Sequence, residues 1–355
     1  MRIAILGGTG NAGRAVARLL LEHTDHDVRI FGRDAGRAAH VASSLRTGTG
    51  RDRVSSSAVA APAELAGALA GHDILMVAAP VSADVAPWAR VALEAGCDWL
   101  DLLLSVPAKH AALRALAAER PFAGRCLVTD GGVHPGLPGA LVRLAAGRMQ
   151  LRRARVAMRF GVDWGALDFA ADTVAEFAQE LGHYEARLYR DGRWVRGWRY
   201  ASVFDFGPGV GRVGCAPMFM AELEEVQRAL PNLRDVEFQV AGFGPLVDWV
   251  GMPAALLLQR LGADRAASRL LGGALRRFGR GSGPSVVLLE AEGPEGERLD
   301  LRLTCGDAYV LTAAPVVAAV RQWEEARRPG LHGQALFLDP ERLLEDLPGL
   351  GVRVG

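Results

Sequence analysis

The stretch "MRIAILGGTGNAGRAVARLLLE" (residues 1–22) decides the fold of the first part of the chain. A short apolar run, Arg2 to Leu6, leads directly into closely spaced glycines, and apolar residues then resume at helical spacing. Gly8, Gly10 and Gly13 lack the side chains that would block a tight turn from strand to helix. This order predicts a buried parallel strand, a glycine turn and a helix that together open a βαβ unit.

The glycine turn predicts a binding site for the pyrophosphate of a dinucleotide. A helix N-terminus carries unpaired N–H donors and a partial positive charge, so its natural ligand is an anion. The alternative is a purely structural turn, but its position between a strand and a helix favours the cofactor. The predicted contacts in this turn are Gly7, Gly8, Thr9, Gly10, Asn11, Ala12 and Gly13.

The second predicted strand indicates which dinucleotide binds. It lies in "HDVRIFGRDAGR" (residues 26–37), and its end meets the adenosine ribose in a dinucleotide fold. Arg33 stands at this end, and a guanidinium can grip a 2′-phosphate with two parallel hydrogen bonds. The sequence therefore favours NADP. In the alternative, Arg33 is one of many surface arginines and the adjacent Asp34 accepts hydrogen bonds from the ribose.

Composition excludes several classes of function. The chain has 355 residues, half of them apolar, with 41 basic and 40 acidic residues, so a nucleic-acid partner is not expected. No run of apolar residues is long enough to span a bilayer, and we expect no signal peptide before the first strand. Four widely spaced cysteines indicate neither a metal site nor disulfides. We expect a cytoplasmic protein with a small-molecule substrate.

Alternating strands and helices predict an α/β fold, a Rossmann doubly wound parallel sheet, over residues 1–135. Further strands are expected in "DILMVAAP" (73–80), "CDWLDLLLS" (97–105) and "RCLVTDGGVHPG" (125–136). Longer, more polar strands predict a second α+β domain with a mixed sheet over residues 136–307, including a hairpin that turns at Gly293 to Gly296. Residues 308–355 are predicted to complete the first domain.

Several motifs together resemble the saccharopine dehydrogenase-like family of NAD(P)-dependent reductases. "GGTGNAG" and "GRD" look like its cofactor half, and "DGGVHPGLPGAL" (130–141) resembles the turn at its domain junction. "GSGPS" and "GDAYVLTAAPVVAAV" (306–320) are similar to its saccharopine reductase-like and enoyl reductase-like branches. The resemblance implies a Rossmann domain made from both chain ends, a substrate domain between them, NADP and a homodimer.

The resemblance also implies a reaction class, the transfer of hydride to a C=N, C=C or C=O group. It does not fix the substrate. "DLLLSVPAKH" (101–110) lacks the Gly-Glu pair that many members carry after this strand, which puts an amino-acid substrate in doubt. A dinucleotide-binding sensor or assembly partner without redox turnover is the alternative function.

The ends of the later strands should surround the nicotinamide ring. Ala78, Ala79 and Pro80 are small enough to let a flat ring lie close, or they mark only a buried strand end before a helix. Lys109 is the only lysine of the chain and follows another strand end. Unlike arginine, a lysine can lose a proton or form a Schiff base. The alternative is an ordinary lysine in the first turn of a surface helix.

His134 is the other candidate proton donor, in the loop "DGGVHPG" after a strand. A histidine can protonate a product near neutral pH, and Asp130 could orient its ring. A structural histidine before a proline is the alternative. Asp101 is predicted to be a buried carboxylate satisfied by backbone donors. The predicted catalytic residues are therefore His134, Lys109 and Asp130, and no metal site is predicted.

The second domain predicts an apolar substrate, because it is rich in large apolar side chains and lacks a cluster for an α-amino acid. An ordinary core is the alternative. A leucine-rich segment at 256–275 could be core, line a channel, bury a dimer seam or contact a membrane surface. The large side chains are Trp164, Phe169, Phe177, Trp194, Trp198, Phe204, Phe206, Met218, Phe219 and Met220.

Overall fold

The computed structural model describes residues 1–164, 184–279, 281 and 283–355. Phe169 and Phe177 therefore lie outside the described residues. The chain divides into two compact units, Met1–Ala140 with Tyr309–Val352, and Leu141–Ala308 with Arg353–Gly355. The sequence predicts boundaries after residues 135 and 307. The assignment of the last three residues to the first domain is wrong, because their strand pairs within the second unit.

The first unit is built on a seven-stranded sheet in which every pair of neighbours is parallel. Strands are numbered in chain order, and the order across this sheet is β15-β6-β5-β4-β1-β2-β3. Its strands are β1 (Arg2–Leu6), β2 (Asp27–Gly32), β3 (Val54–Ala58), β4 (Ile74–Val77), β5 (Asp98–Asp101), β6 (Cys126–Thr129) and β15 (Gly330–Gly333).

Helices connect these parallel strands. Short 3₁₀ turns lie at Ser82–Asp84 and Arg120–Phe122 in this unit, and at Trp198–Tyr200 in the second. The α-helices of this unit are α1 (Asn11–His23), α2 (Ala35–Thr49), α3 (Pro62–Ala68), α4 (Val85–Glu94), α5 (Pro107–Ala118), α10 (Ala308–Arg321), α11 (Trp323–Ala326), α12 (Gln334–Phe337) and α13 (Pro340–Gly349). The chain passes into the second unit within α6 (Leu137–Arg148).

The sheet forms because its central strands are short, almost continuous apolar runs. Ile3, Ile5, Ile74 and Leu75 are fully buried, as expected when helices cover both faces of a parallel sheet. The prediction of a Rossmann doubly wound sheet is confirmed. The strand order reverses between β1 and β4, and a dinucleotide binds beyond the carboxyl ends of the strands at such a reversal.

The second unit contains a mixed sheet, which confirms the predicted second α+β fold. Its order is β10-β11-β12-β7-β13-β14-β16, where β7 and β12 pair in parallel and the other neighbours are antiparallel. The strands are β7 (Arg153–Arg159), β8 (Arg187–Arg190), β9 (Arg193–Arg196), β10 (Ser202–Asp205), β11 (Arg212–Pro217), β12 (Asp235–Ala241), β13 (Ser285–Glu292), β14 (Arg298–Cys305) and β16 (Arg353–Val354).

The predicted hairpin between β13 and β14 is confirmed. The two strands pair in antiparallel register from Ser285 opposite Cys305 to Glu292 opposite Arg298. The turn uses Gly296 with φ +90°, a backbone conformation that favours glycine. A second hairpin joins β8 and β9 through Asp191 and Gly192, which both have positive φ.

The leucine-rich segment forms two helices of the second unit, α8 (Met252–Arg260) and α9 (Asp264–Phe278). One side of the pair is core, where Leu271 and Leu275 pack with Met252. Leu257 and Leu261 on the other side are 59% and 73% exposed. A π-helix (Val247–Gly251) precedes α8, and α7 (Ala221–Ala229) lies earlier in the unit. None of the helices in the described ranges combines the length and apolar character that crossing a membrane requires.

Gln334 ties the C-terminal segment to the loop after β6 within the first unit. Its side chain is fully buried at the start of α12. Oε1 accepts a hydrogen bond from the Gly132 N–H at 3.2 Å, and Nε2 donates to the Gly132 carbonyl at 3.3 Å. Because the two residues are 202 positions apart, one amide side chain joins distant parts of the sequence.

Gln334→Ala should destabilise the protein by about 1 to 3 kcal/mol, because it leaves the buried polar groups of Gly132 without partners. Chemical denaturation followed by circular dichroism measures the change. Gln150→Ala is the matched control, since Gln150 is exposed and should change stability little. Equal losses in the two variants would contradict the assigned role of Gln334.

Candidate functional site

The turn between β1 and α1 is shaped by glycines that touch neighbouring backbone. Gly7 has φ +81°, and a Cβ on it would lie 2.6 Å from the backbone nitrogen of Ala79. The end of β4 therefore packs directly against the turn. Gly7 and Gly8 both donate a hydrogen bond to the Phe31 carbonyl, so the end of β2 holds the turn from the other side.

Gly13 allows α1 to approach this turn. A Cβ on Gly13 would lie 2.4 Å from the Gly7 carbonyl oxygen, whereas a Cβ on Gly10 would meet that atom at 3.3 Å. Gly10 is the N-cap of α1 and has no side chain to satisfy the first N–H groups of the helix. Those donors stay available to a ligand, which is the property an anion site needs.

The end of β2 places an arginine beside the turn. Arg33 follows Gly32, the last residue of the strand, and is exposed. A Cβ on Gly32 would lie 2.7 Å from the Thr9 side chain, so the turn and this strand end are in contact. Asp34 caps α2, and its Oδ1 accepts a hydrogen bond from the Arg37 N–H at 2.6 Å. The Asp34 carboxylate is thus partly committed to the helix.

A buried ionic group lies at the carboxyl ends of β5 and β6. The Lys109 ammonium, with no exposed surface, donates to Asp101 Oδ1 at 2.9 Å and to Asp130 Oδ1 at 2.7 Å. It also donates to the Leu103 carbonyl at 3.0 Å. These three bonds use every N–H of the ammonium. This geometry does not support the predicted direct reaction of Lys109 with a substrate.

Asp130 joins this group to two further side chains. Its Oδ2 accepts a hydrogen bond from Ser105 Oγ at 2.9 Å and lies 2.9 Å from His110 Nε2. The prediction that Asp130 orients His134 is wrong, because its carboxylate is bound to Lys109, Ser105 and His110 instead. Asp130 also has φ +59°, an uncommon conformation for a residue with a side chain.

Burial and charge have opposite effects on these groups. Burial alone would raise the pKa of Asp130, but the Lys109 ammonium and the His110 hydrogen bond outweigh it and hold that pKa well below its usual range. Burial would lower the pKa of Lys109, and the carboxylates of Asp101 and Asp130 outweigh it and raise that pKa. The lysine is therefore a stable cation between two carboxylates.

His134 has a different electrostatic environment from the ionic group, because desolvation is the cause of its pKa shift. Its side chain is partly buried, and desolvation lowers its pKa to about 4. At neutral pH the ring is therefore uncharged and holds no imidazolium proton to donate. The predicted catalytic role of His134 stays a prediction.

Asp101 is buried, as predicted, but its partners are not only backbone. Trp99 Nε1 donates to its Oδ2 at 2.8 Å, and Lys109 and the Leu103 N–H donate to its Oδ1. In the described part of the chain, no cluster of three or more His, Cys, Asp or Glu side chains is arranged to hold a metal ion.

Sequence reasoning missed Ser105 and His110. A signal for them was present, because "SVPAKH" (105–110) starts a helix directly after the end of β5. Both side chains therefore fall at the edge of the sheet where dinucleotide folds bind their ligands.

Residues 3–128 match the family model described as the saccharopine dehydrogenase NADP binding domain. This match covers the glycine turn, Arg33 and the strand ends as far as β6. A search of the curated proteins found no match to the sequence.

Two solved structures illustrate the similarity of the fold. Apo saccharopine dehydrogenase (L-Glu forming) from Saccharomyces cerevisiae is 15% identical over 100% of this chain and 99% of that chain, with a TM-score of 0.65. A myo-inositol dehydrogenase from Corynebacterium glutamicum is 13% identical over 100% of this chain and 98% of that chain, with a TM-score of 0.47. At these identities, the first similarity establishes the fold and the second supports no further argument.

Gly10→Ala and Gly13→Ala should separate cofactor binding from folding. Gly13→Ala forces a clash with backbone and should lower stability markedly, whereas Gly10→Ala meets only one contact at 3.3 Å and should keep the fold. A methyl group at Gly10 blocks the close approach of a pyrophosphate, so NADPH affinity should fall. Thermal unfolding and a fluorescence titration with NADPH measure the two effects. Unchanged affinity in Gly10→Ala would place the cofactor elsewhere.

Lys109→Met should destabilise the protein by about 3 to 5 kcal/mol at pH 7, because two buried carboxylates lose their counter-charge. Chemical denaturation measures the loss. Arg90→Met is the control, since Arg90 pairs with Glu119 on the surface and should matter far less.

The loss in Lys109→Met should depend on pH. In the native protein the lowered pKa of Asp130 makes its ionised form stabilising above the unfolded pKa, and this stability is lost only as pH falls through the folded pKa. Removing the ammonium raises the folded pKa, so the variant favours a protonated carboxyl. The difference in free energy of unfolding between the native protein and Lys109→Met should therefore narrow as pH falls toward about 4, the ordinary pKa of Asp. A deficit independent of pH would contradict the ionic account.

Proposed function

We propose that this saccharopine dehydrogenase-like NAD(P)-dependent oxidoreductase uses NADPH to reduce a C=N, C=C or C=O bond of a small, apolar metabolite. The observation that carries the proposal is the glycine turn. Its glycines are required by backbone contacts at Gly7 and Gly13, and it leaves the donors at the start of α1 open. A pyrophosphate fits such a helix N-terminus.

The adenosine end of the cofactor lies toward β2 in this proposal. Arg33 is exposed beside Thr9, in reach of a 2′-phosphate, and the N-terminus of α2 follows it. Asp34 already accepts the Arg37 N–H, which leaves it less suited to accept hydrogen bonds from a free ribose. These contacts favour NADP over NAD.

The nicotinamide end lies toward the exits of β4 and β5. Ala78 and Ala79 are small, partly buried residues that touch the glycine turn, and Pro80 beside them is exposed. A flat ring placed there would lie next to the strand end that carries Asp101 and the ionic group. Hydride transfer from the ring to a bound substrate would take place at this edge of the sheet.

An apolar substrate is supported by the aromatic side chains of the second unit. Trp164 stacks against Phe243 with ring centroids 4.8 Å apart, and both are only partly buried. Trp198 and Trp249 likewise meet at 6.1 Å. Phe204 and Phe206 belong instead to a buried core cluster, so they are removed from the candidate lining.

The cytoplasmic location and the homodimer stay predictions.

The second candidate is a protein that binds the dinucleotide without turnover. The observation in its favour is that neither predicted proton donor is suited to donate a proton. Lys109 is fully buried, and His134 is uncharged at neutral pH. Such a sensor or assembly partner would bind NADPH tightly and reduce nothing.

Arg33→Ala should weaken NADPH binding roughly tenfold to a hundredfold, because hydrogen bonds to the 2′-phosphate are charge-assisted, and should leave NADH binding unchanged. Titration of each nucleotide measures the effect. Arg51→Ala is the control, because Arg51 is exposed and lies before β3, away from the glycine turn. Equal loss for both nucleotides would remove the 2′-phosphate assignment.

A panel of imines, enals and ketones tests the reaction itself. Oxidation of NADPH, followed by its absorbance, should occur with at least one apolar member of the panel. Tight NADPH binding without oxidation across the panel would favour the sensor. Failure to bind either nucleotide at near-millimolar concentration would overturn both candidates.

A further inference from the structure

Ser105 and His110 form an outer layer on the buried ionic group. Ser105 Oγ lies 3.1 Å from His110 Nε2 and donates to Asp130 Oδ2 at 2.9 Å. His110 Nε2 hydrogen-bonds Asp130 Oδ1 at 3.2 Å and lies 2.9 Å from Oδ2. Behind them, Asp101, Asp130 and Lys109 are almost completely sealed. The first atoms of this group that a ligand could reach therefore belong to Ser105 and His110.

The two outer residues differ in what they face. Ser105 is partly buried in the loop after β5, at the edge where the nicotinamide is proposed to lie. The His110 side chain is 11% exposed. Its Nδ1 makes no hydrogen bond within the described ranges, yet it is not among the buried atoms that lack a partner, so this nitrogen has solvent-accessible surface. One nitrogen of the ring is thus engaged in the group, and the other can exchange a proton with solvent.

The charges of the group define what His110 adds. Two carboxylates, Asp101 and Asp130, face the single ammonium of Lys109. The group therefore carries one net negative charge when His110 is neutral and none when His110 holds a proton. Transfer of one proton through His110 changes the group between these two states without breaking the bonds made by Lys109.

Resting on the proposed reductase function, we propose that Ser105 is the catalytic proton donor to the reduced substrate and that His110 resupplies it. Hydride leaves the nicotinamide C4 and bonds to the substrate carbon, and NADPH becomes NADP⁺. The electron pair of the C=X bond moves to X, which takes the hydroxyl proton of Ser105 as this hydroxyl turns away from Asp130 Oδ2. Ser105 takes the Nε2 proton of the doubly protonated His110 ring, which is left neutral with its remaining proton on Nδ1. After the product leaves, a solvent proton returns to Nε2 through Ser105 Oγ.

Asp130 and Lys109 are positioning residues in this scheme. Asp130 accepts the Ser105 hydroxyl on Oδ2 and hydrogen-bonds the imidazole through Oδ1, and Lys109 fixes the carboxylate from behind. The proposal also explains why the only lysine of the chain is buried, since its charge orders the donor pair without reacting.

No other charged side chain is hydrogen-bonded to His110 among the described residues. Charged or titratable residues also lie on the elements packed against α5 or elsewhere on α5. They are Asp84, Arg90, Glu94, Arg114, Arg120 and His332. His332 bonds the backbone oxygens of Arg328 and Pro329, and Arg90 pairs with Glu119.

The test uses the full chain with NADPH and a substrate found in the panel. Ser105→Ala and His110→Gln should each lower kcat roughly a hundredfold, the size of a lost general acid, with KM and NADPH affinity little changed. Ser105→Thr keeps the hydroxyl and should restore most of kcat. His72→Gln is the matched control. His72 is a partly buried histidine just before β4, so it lies at the amino ends of the strands, whereas Ser105 and His110 lie at the carboxyl ends.

The pH profile distinguishes proton supply from a structural role. Native kcat should fall as rising pH removes the His110 proton, and this limb should be absent in His110→Gln. Retention of kcat in Ser105→Ala, or an unchanged pH limb in His110→Gln, would overturn the proposal. So would an equal loss in His72→Gln.

A measurement without substrate separates this proposal from the function on which it rests. Nuclear magnetic resonance of isotope-labelled histidine follows His110, assigned by the signal missing from His110→Gln. The Nε2 signal of His110 should shift in Ser105→Ala, because Nε2 lies 3.1 Å from the Ser105 hydroxyl. If the panel shows no turnover, the reductase function fails. If the Nε2 signal does not respond to Ser105→Ala, the proton relay fails whether or not turnover is found.

Discussion

The Lys109 ammonium between the carboxylates of Asp101 and Asp130 is the interaction on which the functional edge of the first unit depends. Each carboxylate ends a different strand, so one cation fixes the spacing of β5 and β6 at their exits. Burying three charges is costly unless each is fully paired and hydrogen-bonded. Trp99, Ser105 and the Leu103 backbone meet that condition by saturating the remaining oxygens and protons. Since the strands end here, the arrangement also sets where the loops above them begin.

The part of the fold that could be predicted from sequence is the part with a strong local signal. The turn is marked by closely spaced glycines and the central strands are apolar runs with clear ends, and both form as expected. Two strands of the same sheet were missed. Residues 54–58 read "VSSSA", a polar edge strand, and Gly330–Gly333 has four residues and two glycines. Neither has the apolar pattern that identifies a strand, because each is stabilised by pairing with a neighbour that is distant in sequence.

The sequence predicted where the candidate site lies but not which of its side chains form ion pairs and hydrogen bonds with one another. Composition identified Lys109, because it is the only lysine of an arginine-rich chain. Its burial depends on which strand end lies opposite, and nothing in "SVPAKH" specifies that. The same limit led to the wrong partner for Asp130. His134 is four residues away along the loop, whereas His110 comes from a helix that packing brings alongside. Proximity in sequence is a poor guide to proximity between parallel strands, whose connections are long.

The pairing of β15 with β6 has a consequence for how the protein is made. Gly330 to Gly333 join the edge of a sheet whose other strands all lie within the first 129 residues, and Gln334 then closes the loop after β6. A chain emerging from the ribosome would hold an incomplete sheet with β6 as an open edge until some two hundred further residues had been added. Contacts of such long range form slowly, and open edges invite pairing with other chains. The nascent protein is therefore most exposed to aggregation, and most dependent on chaperones, in the interval before its last strand arrives.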